Sequence, residues 1–560
     1  MAVSYAREPV ILGVNRTQDA SLCLMHGSDV VYSIQKERLT RRKHHWGKLH
    51  DFRDIYANLP GLDRPIDVLV ECFSSDDEIR KLPDYERELR ETLIFAPTAR
   101  TARISHHLAH LYSAFPPSPF EEAAVMIIDG QGSPAAACGE TWPGSADVPG
   151  HWREVSSFYC ADRHRVECLD KQLWDGDARR LVGLGMFYFL LTQAIFPGEG
   201  NEGKVMGLAP YGDPTVLDLP PLDVTGAEVT IPRPWTEILR EHKRFRYTAD
   251  ADTRFTGIAN LAAAGQRAFE EAILAVAHWL SETTHVDNLC FAGGTALNCS
   301  TNDRLLRETP FRRVFIPPAP SDAGTALGCA LYGLTEVLKA DCAYRWRNDF
   351  LGPLPEAGTT EAALTGQRDL VVERPIDLCA RIVDILCARK VVALYQGRSE
   401  FGPRALGHRS ILGDPRHARV RDWINARVKE REWFRPLAPI VLLEEAERFF
   451  DIRSPSPFMQ FAAPVRSEAA VQIPAVTHVD GTARLQTIAS DDDPLMRALL
   501  EAFAARTGVP VLLNTSFNRK EEPIVETVEQ ALASFRNTPL HALVIPPYLV
   551  RKRAEPDAIA

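Results

Sequence analysis

Three histidines that lie close together in the first third of the chain raise the question of a metal site. The segment "RISHHLAHLYSAF" reads as a helix that carries His106, His107 and His110. Residues four apart share one face of a helix, so His106 and His110 point the same way, whereas His107 points about 100° away from His106. Such a pair is a common way to present two imidazoles to one metal ion. A polar helix face explains the pair about equally well.

Two aspartates strengthen the case for a metal ion. Asp129 ends the strand-like segment "VMIID", so its carboxylate is expected at the carboxyl end of a strand, over the cleft of an α/β domain. Asp322, in "SDAGTALG", stands just before a helix start that contains glycine. Two imidazoles and two carboxylates suit Fe(II), Mn(II) or Zn(II). Taken alone, Asp322 is better explained as the N-cap of that helix.

A glycine pair suggests a second kind of chemistry. In "FAGGTALNCSTNDRLL", a short strand runs through Gly293 and Gly294 into a helix, with Asn298 and Asn302 four residues apart. Glycines let the backbone approach a phosphate, and the N-terminus of a helix offers N–H groups and a positive dipole end. A tight turn between strand and helix is an equally good explanation.

The elements that must position these residues follow two copies of one pattern. Residues 9–36 read as strand, polar turn, strand, turn and strand. Residues 122–158 repeat this with the strand "AAVMIID", the turn "GQGS", the strand "PAAACGETW" and a third strand around "REVSSFY". The helix "IANLAAAGQRAFEEAILAVAHWLSETT" and the buried strand "NLCFAGG" come later. Duplicated units of this kind are typical of actin-like ATPases, so an α/β fold is predicted.

A change of composition marks the end of this first domain. Residues 350–375 are rich in proline, glycine and threonine and show little periodicity. The helix "IDLCARIVDILCARK" and the strand "VVALYQG" then begin a new α/β segment. The predicted boundaries are a first domain over 1–350, a linker over 351–372 and a second domain over 373–560.

Composition narrows the class of protein. The 560 residues are too many for one hydrophobic core, which agrees with two or more domains. The 64 Lys plus Arg against 74 Asp plus Glu give a net charge of −10, which disfavours non-specific nucleic-acid binding. Eleven scattered cysteines without a CxxC motif favour reduced thiols in a cytoplasmic protein. No apolar run is long enough for a membrane span, and no secretory signal is expected.

Cationic residues gather in loops of the last third of the chain. Segments 396–416 and 424–440 combine them with glycine, proline and aromatic residues, unlike a solvated helix face. Arginines fixed by such loops suit bidentate capture of phosphate or carboxylate. Pairing with Glu400 and Glu432 is the alternative, and it is expected to hold for some of them only. The cations concerned are Arg398, Arg404, Arg409, Lys429, Arg431, Arg435 and Arg484.

Nine segments along the chain form a characteristic series. They are "HHLAHLYSAF", "IIDGQG", "EGKVMGLAPYG", "GGTALNC", "SDAGTALGCA", "EFGPRALGHRSI", "REWFRPLAPI", "HVDGTAR" and "NTSFN". In this order they closely resemble the carbamoyltransferases of antibiotic and nodulation-factor biosynthesis. The resemblance implies a first domain of actin-like (ASKHA) fold, similar to tRNA threonylcarbamoyl-transfer proteins, and a second domain of YrdC-like α/β fold. It also implies that the second domain makes carbamoyl adenylate from carbamoyl phosphate and ATP with Mg(II). The first domain would transfer the carbamoyl group to a small-molecule hydroxyl, with AMP leaving.

The resemblance also implies roles for individual residues. The ligands of Fe(II), or of another divalent metal, correspond to His106, His110, Asp129 and Asp322. The carbamoyl phosphate pocket corresponds to Lys429, Arg435, Arg484 and Ser516. Lys43 matches a lysine at the transfer site and Arg404 the adenylate-forming site, so the catalytic residues predicted are Lys43, Asp19, Arg404 and Lys429. The nucleotide-binding residues predicted are Gly130, Gly293, Gly294, Asn298, Gly324 and Arg404.

One position departs from the family pattern. Members commonly carry "HDAS" in the first turn, where the histidine is a candidate base toward the acceptor, whereas this chain reads "VNRTQDAS" with Gln18 there. Glutamine cannot take a proton, so deprotonation is left to Asp19, to a metal-bound group or to nothing. An amine acceptor needs less help, so N-carbamoylation stays open beside O-carbamoylation. His44 and His45 are close in sequence, but a solvated basic loop is the simpler interpretation of both.

Three functions are weighed. A carbamoyltransferase leads, and a threonylcarbamoyl-type tRNA-modifying enzyme is disfavoured by the acidic balance of charge. A non-enzymatic actin-like ATPase or scaffold would produce ADP without requiring carbamoyl phosphate. The expected partner is a small-molecule acceptor, with no nucleic acid and no membrane, and a homodimer is left open.

Overall fold

The computed structural model describes residues 7–73, 82–177, 179–248, 254–554, 556 and 559. The chain divides into two compact units of mixed α/β structure. The first unit comprises Met1–Thr40 and His44–Arg347, and the second comprises Asn348–Ala560 together with the tripeptide Arg41–Lys43. None of the described helices combines the length and apolar character that a bilayer crossing requires.

The first unit contains two five-stranded sheets with the same strand order. One has the order β3-β2-β1-β4-β5, with β1 Val10–Asn15, β2 Ser21–His26, β3 Asp29–Gln35, β4 Ile66–Cys72 and β5 Phe95–Ile104. The other has the order β12-β11-β6-β7-β8, with β6 Glu122–Ile128, β7 Arg153–Asp162, β8 Val166–Trp174, β11 Asn288–Ala292 and β12 Arg313–Phe315. The strands β9 Asp223–Thr225 and β10 Glu228–Thr230 form a separate hairpin.

In each five-stranded sheet, the first three strands form an antiparallel meander, and two later strands add in parallel beside the first. The central strands β1 and β6 are buried along almost all of their length, as expected for strands covered on both faces. The duplicated α/β unit that the sequence predicts is therefore visible as a repeated strand order.

One strand of the predicted second meander is wrong. The segment "PAAACGETW" contains a short 3₁₀ turn at Ala135–Ala137, and Pro134 makes an isolated bridge to Arg153. Proline has no N–H to donate to a ladder, and a run of alanines has little preference for strands. The second strand of the meander is β7, which the sequence places third, and the third strand is β8.

The helices of the first unit pack around these sheets. They are α1 Lys36–Thr40, α2 Leu82–Thr92, α3 His106–Ala114, α4 Leu184–Ile195, α5 Glu202–Leu208, α6 Arg233–Ile238, α7 His242–Phe245, α8 Phe255–Thr284, α9 Cys299–Glu308 and α10 Thr325–Tyr332. Helix α3 begins after Ser105, whose side chain accepts from the N–H of Leu108. A Cβ on Gly328 of α10 would lie 1.9 Å from the carbonyl oxygen of Ala109. This close approach brings the start of α10 toward the histidines of α3.

A buried charge network supports the second of these sheets. Lys171, on β8, donates to the carboxylates of Glu154 at 2.5 Å and Glu140 at 2.8 Å. The side chains of Lys171 and Glu154 have no exposed surface. The second carboxylate oxygen of Glu154 accepts from the backbone N–H groups of Ser133 at 3.0 Å and His107 at 3.4 Å. The network therefore connects the β7–β8 pair to the first turn of α3.

Lys171→Met is expected to lower the free energy of unfolding by about 3–5 kcal/mol, because the substitution leaves a buried carboxylate unpaired. Chemical denaturation of the first unit measures this loss. Lys339→Met is the matched control, since Lys339 pairs with Glu336 at 2.8 Å but is 73% exposed. Its loss should stay below about 1 kcal/mol. Equal losses in the two variants would contradict a structural role for the network.

The second unit is built on one eight-stranded mixed sheet of order β13-β22-β21-β14-β15-β20-β16-β19. Its strands are β13 Leu370–Glu373, β14 Val392–Tyr395, β15 Arg409–Gly413, β16 Ala438–Leu442, β19 Gln486–Ile488, β20 Val511–Ser516, β21 Ala542–Ile545 and β22 Tyr548–Lys552. The strands β17 Ala462–Pro464 and β18 Thr482–Arg484 pair with each other. The helices are α11 Thr359–Leu364, α12 Leu378–Cys387, α13 Ala418–Trp423, α14 Ala446–Phe449, α15 Ser467–Ala470, α16 Pro494–Thr507 and α17 Val528–Arg536.

The two compact units separate between Arg347 and Asn348. The segment predicted as a linker, 351–372, is counted with the second unit. It contains the short helix α11, and strand β13 begins at its end and pairs with β22. Local composition does not reveal this pairing, because the partner strand lies almost 180 residues away in the sequence.

Candidate metal centre and anion-binding cluster

Two imidazoles and two carboxylates meet at one point in the first unit. The Nε2 atom of His106 lies 3.0 Å from an oxygen of Asp129 and 3.1 Å from the Nε2 atom of His110. An oxygen of Asp322 lies 3.4 Å and 3.9 Å from the two imidazole nitrogens. One donor atom from each residue lies within 4.8 Å of every other. The structure thus brings together the four predicted residues, called here the metal cluster.

Local structure explains how each residue reaches this point. His106 and His110 lie one turn apart on α3 and are fully buried. Asp129 directly follows β6, and Asp322 opens a 3₁₀ turn before α10. His107 faces elsewhere, as the helical spacing predicts, and its Nδ1 atom lies 2.7 Å from the hydroxyl of Ser157. Burial lowers the pKa of His107 to about 3, so its imidazole is neutral.

Outer hydrogen bonds hold the two carboxylates. Asp129 accepts from the backbone N–H groups of Gly130 at 2.8 Å and Gly294 at 3.0 Å through its second oxygen. The hydroxyl of Thr17 donates to the second oxygen of Asp322 at 3.0 Å. In metal sites, contacts of this kind orient the ligands and tune their basicity. In each carboxylate, one oxygen therefore accepts hydrogen bonds from neighbouring residues, and the other oxygen points toward the imidazoles.

The electrostatics of the metal cluster favour a bound cation. Burial alone lowers the pKa of His106, but the carboxylates of Asp322 and Asp129 outweigh it and raise this pKa well above its usual value. Burial raises the pKa of Asp129, but His106 and His110 outweigh it and hold this pKa well below its usual range. Burial and the charge of Asp129 raise the pKa of Asp322 despite the histidines. Two buried carboxylates repel each other unless positive charge lies between them.

The residues present fit a divalent metal ion. Donor atoms about 2.1 Å from a common ion lie about 3.0 Å apart at right angles and about 3.4 Å apart at tetrahedral angles. Four of the five separations involving the imidazole nitrogens, 3.0, 3.1, 3.3 and 3.4 Å, fall in this range, and the fifth is 3.9 Å. Two nitrogen and two oxygen donors suit Fe(II), Mn(II) or Zn(II). The identity of the ion stays a prediction.

Thr17→Val is expected to weaken metal binding about 10- to 100-fold, because Asp322 loses the hydroxyl that orients its carboxylate. Competition with a coloured chelator measures the affinity. Thr215→Val is the control, because the hydroxyl of Thr215 also donates to an aspartate, Asp213, but on the exposed surface. Unchanged affinity in both variants would argue against an orienting role for Thr17.

The glycine pair lies directly beside the metal cluster. Gly293 has a φ of +95°, and a Cβ there would lie 2.2 Å from the carbonyl oxygen of Ile128. The N–H of the next residue, Gly294, is the one that donates to Asp129. Gly293 is thus required by the close approach of this loop to the end of β6, whereas a Cβ on Gly294 would lie 2.9 Å from a carboxylate oxygen of Asp129. Their predicted contact with a nucleotide stays a prediction.

The other residues predicted to bind a nucleotide have local partners. The side chain of Asn298 caps helix α9 and exchanges hydrogen bonds with the amide of Gln266 at 3.0 and 3.1 Å. Gly130 donates its N–H to the metal cluster, as described above. A Cβ on Gly324 would lie 2.0 Å from the carbonyl oxygen of Ala319, so this turn accepts only glycine. These contacts are structural and leave the nucleotide role a prediction.

Asp19 has a partner that the sequence does not reveal. The Nδ1 atom of His44 lies 2.8 Å from a carboxylate oxygen of Asp19. His45 is bonded to the hydroxyl of Thr40 at 2.7 Å. Both histidines thus lie in a loop and are partly exposed, as predicted, but each has a polar partner that the sequence does not reveal. Donor atoms of Asp19, His44 and Glu37 also lie within 4.8 Å of one another.

In the second unit, Lys429 is the centre of a polar cluster. The residue is 5% exposed, and its ammonium donates to the side-chain oxygens of Asn518 at 2.7 Å and Ser516 at 3.1 Å. It also donates to the backbone carbonyls of the same two residues. Asn518 is not among the residues that the sequence predicts for this site. Asn518 follows Ser516, the last residue of β20, by two positions, so both side chains lie on the same side of an extended chain. This spacing is the sequence signal that could have indicated Asn518.

Three arginines add positive charge around Lys429. Burial, Arg431, Lys43 and Arg435 all lower the pKa of Lys429, which lies well below its usual value. Burial and the neighbouring arginines also lower the pKa of Arg431 and of Arg435, and Glu432 only partly offsets them. We call Lys429, Arg431, Arg435 and Arg484 the cation cluster. This partly buried excess of like charge favours binding of an anion.

Glutamates neutralise little of this charge. Glu432 lies 3.7 Å from Arg435, whereas the carboxylate of Glu400 accepts from the backbone N–H groups of Leu406 at 2.6 Å and His408 at 2.9 Å. The alternative prediction, that the loop arginines pair with Glu400 and Glu432, therefore holds only in part, for Glu432. Glu400 instead fixes the loop between β14 and β15. Arg404 lies half-buried in that loop. Its predicted role in adenylate formation stays a prediction.

Lys43 lies in the second unit, although the sequence predicts it for the transfer site of the first domain. Its charge acts on Lys429, as the lowered pKa of that ammonium indicates. The structure thus places this predicted catalytic lysine with the cation cluster.

Comparison with known proteins identifies the family. Residues 89–331 match the family model described as Carbamoyltransferase N-terminus, and residues 383–552 match the one described as Carbamoyltransferase C-terminus. Nodulation protein NolNO of Sinorhizobium fredii is 38% identical over 82% of this chain, which spans 65% of NolNO. The 3'-hydroxymethylcephem-O-carbamoyltransferase of Amycolatopsis lactamdurans is 31% identical over 77% of this chain and 78% of its own length. The chain belongs to the carbamoyltransferase family.

Both clusters lie inside the ranges that match the family models. The metal cluster falls within the N-terminal match, and the cation cluster falls within the C-terminal match. The crystal structure of full-length HypF in the phosphate- and nucleotide-bound form covers 61% of this chain and 58% of its own, at 12% identity and a TM-score of 0.37. Membership of the family supports a carbamoyl-transferring enzyme.

Proposed function

We propose that this carbamoyltransferase is ATP-dependent and works in two steps. In the second unit, water first cleaves carbamoyl phosphate into carbamate and phosphate. A carbamate oxygen then attacks the α-phosphorus of ATP, giving carbamoyl adenylate and releasing pyrophosphate. In the first unit, the carbamoyl group passes to a hydroxyl, or an amine, of a small-molecule natural product, and AMP leaves. Antibiotic or nodulation-factor precursors are the acceptor classes that the relatives' names suggest.

The cation cluster is the observation that carries the first step. Its four basic side chains repel one another and are offset by one nearby carboxylate, Glu432. A phosphorylated substrate would neutralise this charge, and arginine forks match the geometry of phosphate oxygens. Lys429 supplies a charged donor, and the hydroxyl of Ser516, 3.1 Å from this ammonium, is a neutral polar group at the same place. Carbamoyl phosphate, supplied with Mg(II)-ATP, is the anion that the family membership indicates.

The metal cluster supports the second step. A divalent ion held by His106, His110, Asp129 and Asp322, with Fe(II) as the ion proposed, would polarise a carbonyl or lower the pKa of a hydroxyl. Helix α3 and strand β6 fix three of these side chains on rigid elements, which suits a catalytic centre. We also propose that the repeated five-stranded sheets are an actin-like (ASKHA) fold and that the eight-stranded sheet is YrdC-like.

One assay tests the proposal against its alternatives. The enzyme is incubated with Mg(II)-ATP and a panel of amino-sugar, nucleoside and macrolide acceptors, with and without carbamoyl phosphate. We expect AMP and pyrophosphate only when carbamoyl phosphate is present, and a mass gain of one carbamoyl group on one acceptor class. ADP formation without carbamoyl phosphate would support an actin-like ATPase or scaffold instead. Salt-sensitive binding of tRNA would support a tRNA-modifying enzyme.

A further inference from the structure

His44 and Asp19 form an imidazole–carboxylate pair that the proposed mechanism does not yet use. The two side chains are 2.8 Å apart and are 29% and 19% exposed, so the pair is ordered but open to a small molecule. Both residues have positive φ angles, +53° for His44 and +51° for Asp19. Positive φ is uncommon outside glycine and tends to occur where function requires it.

The pair is joined to the metal cluster by a shared hydrogen-bond donor. The side-chain amide nitrogen of Asn15 donates to the backbone carbonyl of Asp19 at 3.1 Å and to that of Asp322 at 2.9 Å. The hydroxyl of Thr17, in the same turn, donates to the carboxylate of Asp322. The turn that carries Asp19 therefore lies directly against a residue of the metal cluster. His44 belongs to the same compact unit.

The hydrogen bond fixes which imidazole nitrogen can accept a proton. An ionised carboxylate only accepts hydrogen bonds, so Nδ1 of His44 carries the hydrogen and Nε2 presents the lone pair. The Nε2 side of the ring lies against Gly200, where an added Cβ would come within 2.1 Å of this nitrogen. Glycine at position 200 thus leaves room for the imidazole ring. The carboxylate of Asp19 orients the ring, as expected for a general base held by a third group.

We propose that His44, oriented by Asp19, is the general base that deprotonates the acceptor hydroxyl. The inference rests on the proposed function and makes an alcohol the acceptor. The hydroxyl oxygen bonds to the carbamoyl carbon while its proton moves to Nε2 of His44. The bond from that carbon to the phosphate oxygen breaks, and AMP leaves with the electron pair. The products are the carbamate ester, AMP and protonated His44, which later returns its proton to water.

The charged groups around His44 favour this role. Asp19 faces the imidazole from the first turn, and Glu37, on α1, accepts the backbone N–H of His44 at 3.1 Å. Glu202, on α5, interacts electrostatically with both residues of the pair, and burial together with the charges of Asp19 and Glu199 raises its pKa. Negative charge on several sides stabilises the imidazolium that forms when His44 takes a proton.

The test uses His44→Asn, because asparagine tolerates positive φ and can still donate to Asp19. Transfer to an alcohol is measured on the acceptor panel and on methanol, and transfer to nitrogen is measured with hydroxylamine, which attacks without prior deprotonation. We expect carbamate ester formation to fall about 100-fold, as for loss of a general base. Hydroxyurea formation and ATP–pyrophosphate exchange should stay within about threefold of wild type. In His44→Gly, added imidazole should restore ester formation.

His45→Asn is the matched control, because His45 is the adjacent histidine and bonds Thr40 instead. An ester rate in His44→Asn within threefold of wild type would overturn the proposal, as would equal losses with the alcohols and hydroxylamine. Loss of a second equivalent of bound metal from His44→Asn would also overturn the proposal, since a metal-bound imidazole cannot accept a proton.

If the wild type forms hydroxyurea but no carbamate ester, the inference that the acceptor is an alcohol fails, whereas the proposed carbamoyl transfer is supported. If it makes no carbamoyl-phosphate-dependent AMP, the proposed function itself fails.

Discussion

Replacing His110 or Asp129 by alanine should abolish carbamoyl transfer while leaving adenylate formation largely intact. Each substitution removes one of the four donors of the metal cluster, and Asp129 also accepts two backbone N–H groups that fix its position. Loss of one donor weakens the binding of a divalent ion, and in His110→Ala two carboxylates are left beside a single imidazole. We expect bound metal to fall from about one equivalent to a trace. Transfer should fall by at least about 1,000-fold, or about 4 kcal/mol in activation free energy.

Two measurements on the same variants separate the steps. Elemental analysis gives the metal content, and carbamoyl-phosphate-dependent ATP–pyrophosphate exchange reports adenylate formation alone. His278→Ala, an exposed histidine on α8, is the control and should keep both activities. If His110→Ala lost pyrophosphate exchange together with transfer, the proposed division of labour between the two units would be wrong.

The parts of the fold that the sequence predicts well are those with strong local periodicity. Strands β1 to β3 follow from short apolar runs separated by turns, and they lie where predicted. The pairing of His106 with His110 follows from helical geometry, as does the different direction of His107. The strand predicted at "PAAACGETW" is wrong because small, proline-led segments carry little information about their conformation.

Side-chain partners from distant parts of the sequence are what local patterns leave out. The bond between His44 and Asp19 joins a helix end to the first turn, and Lys429 reaches Asn518 across about 90 residues. The composition around His44 and Asn518 does not distinguish these two residues from residues of solvated loops. The burial of Lys171 is likewise not predicted by the local sequence. Strand β8 contains many polar residues, and Lys171 is buried only because its carboxylate partners come from other segments.

The two clusters differ in how they are held. The metal cluster lies on regular elements and on loops fixed by glycine contacts, so its four residues converge with opposite charges that attract. The cation cluster gathers residues of one sign, which destabilise one another in the absence of an anion. Substitutions in the two clusters should therefore change stability in opposite directions, a difference that activity measurements alone would not reveal.

Arg435→Ala and Lys429→Met should each lower kcat/KM for carbamoyl phosphate by about 1,000-fold, or about 4 kcal/mol. Each substitution removes one charged donor from a partly buried phosphate site, and truncation of such a group costs about 2–5 kcal/mol or more. Adenylate formation and transfer should fall together, because transfer needs the adenylate. Steady-state release of AMP and pyrophosphate at varied carbamoyl phosphate measures the effect.

Thermal unfolding distinguishes lost binding from lost structure in these variants. Because Arg484 and burial destabilise the charge of Arg435, Arg435→Ala should unfold no earlier than the wild type without ligand. Inorganic phosphate should raise the Tm of the wild type but not that of Arg435→Ala. Arg506→Ala is the control and should respond like the wild type, because the side chain of Arg506 is 66% exposed. A wild-type phosphate response in Arg435→Ala, with kcat/KM within threefold, would place the anion site elsewhere in the second unit.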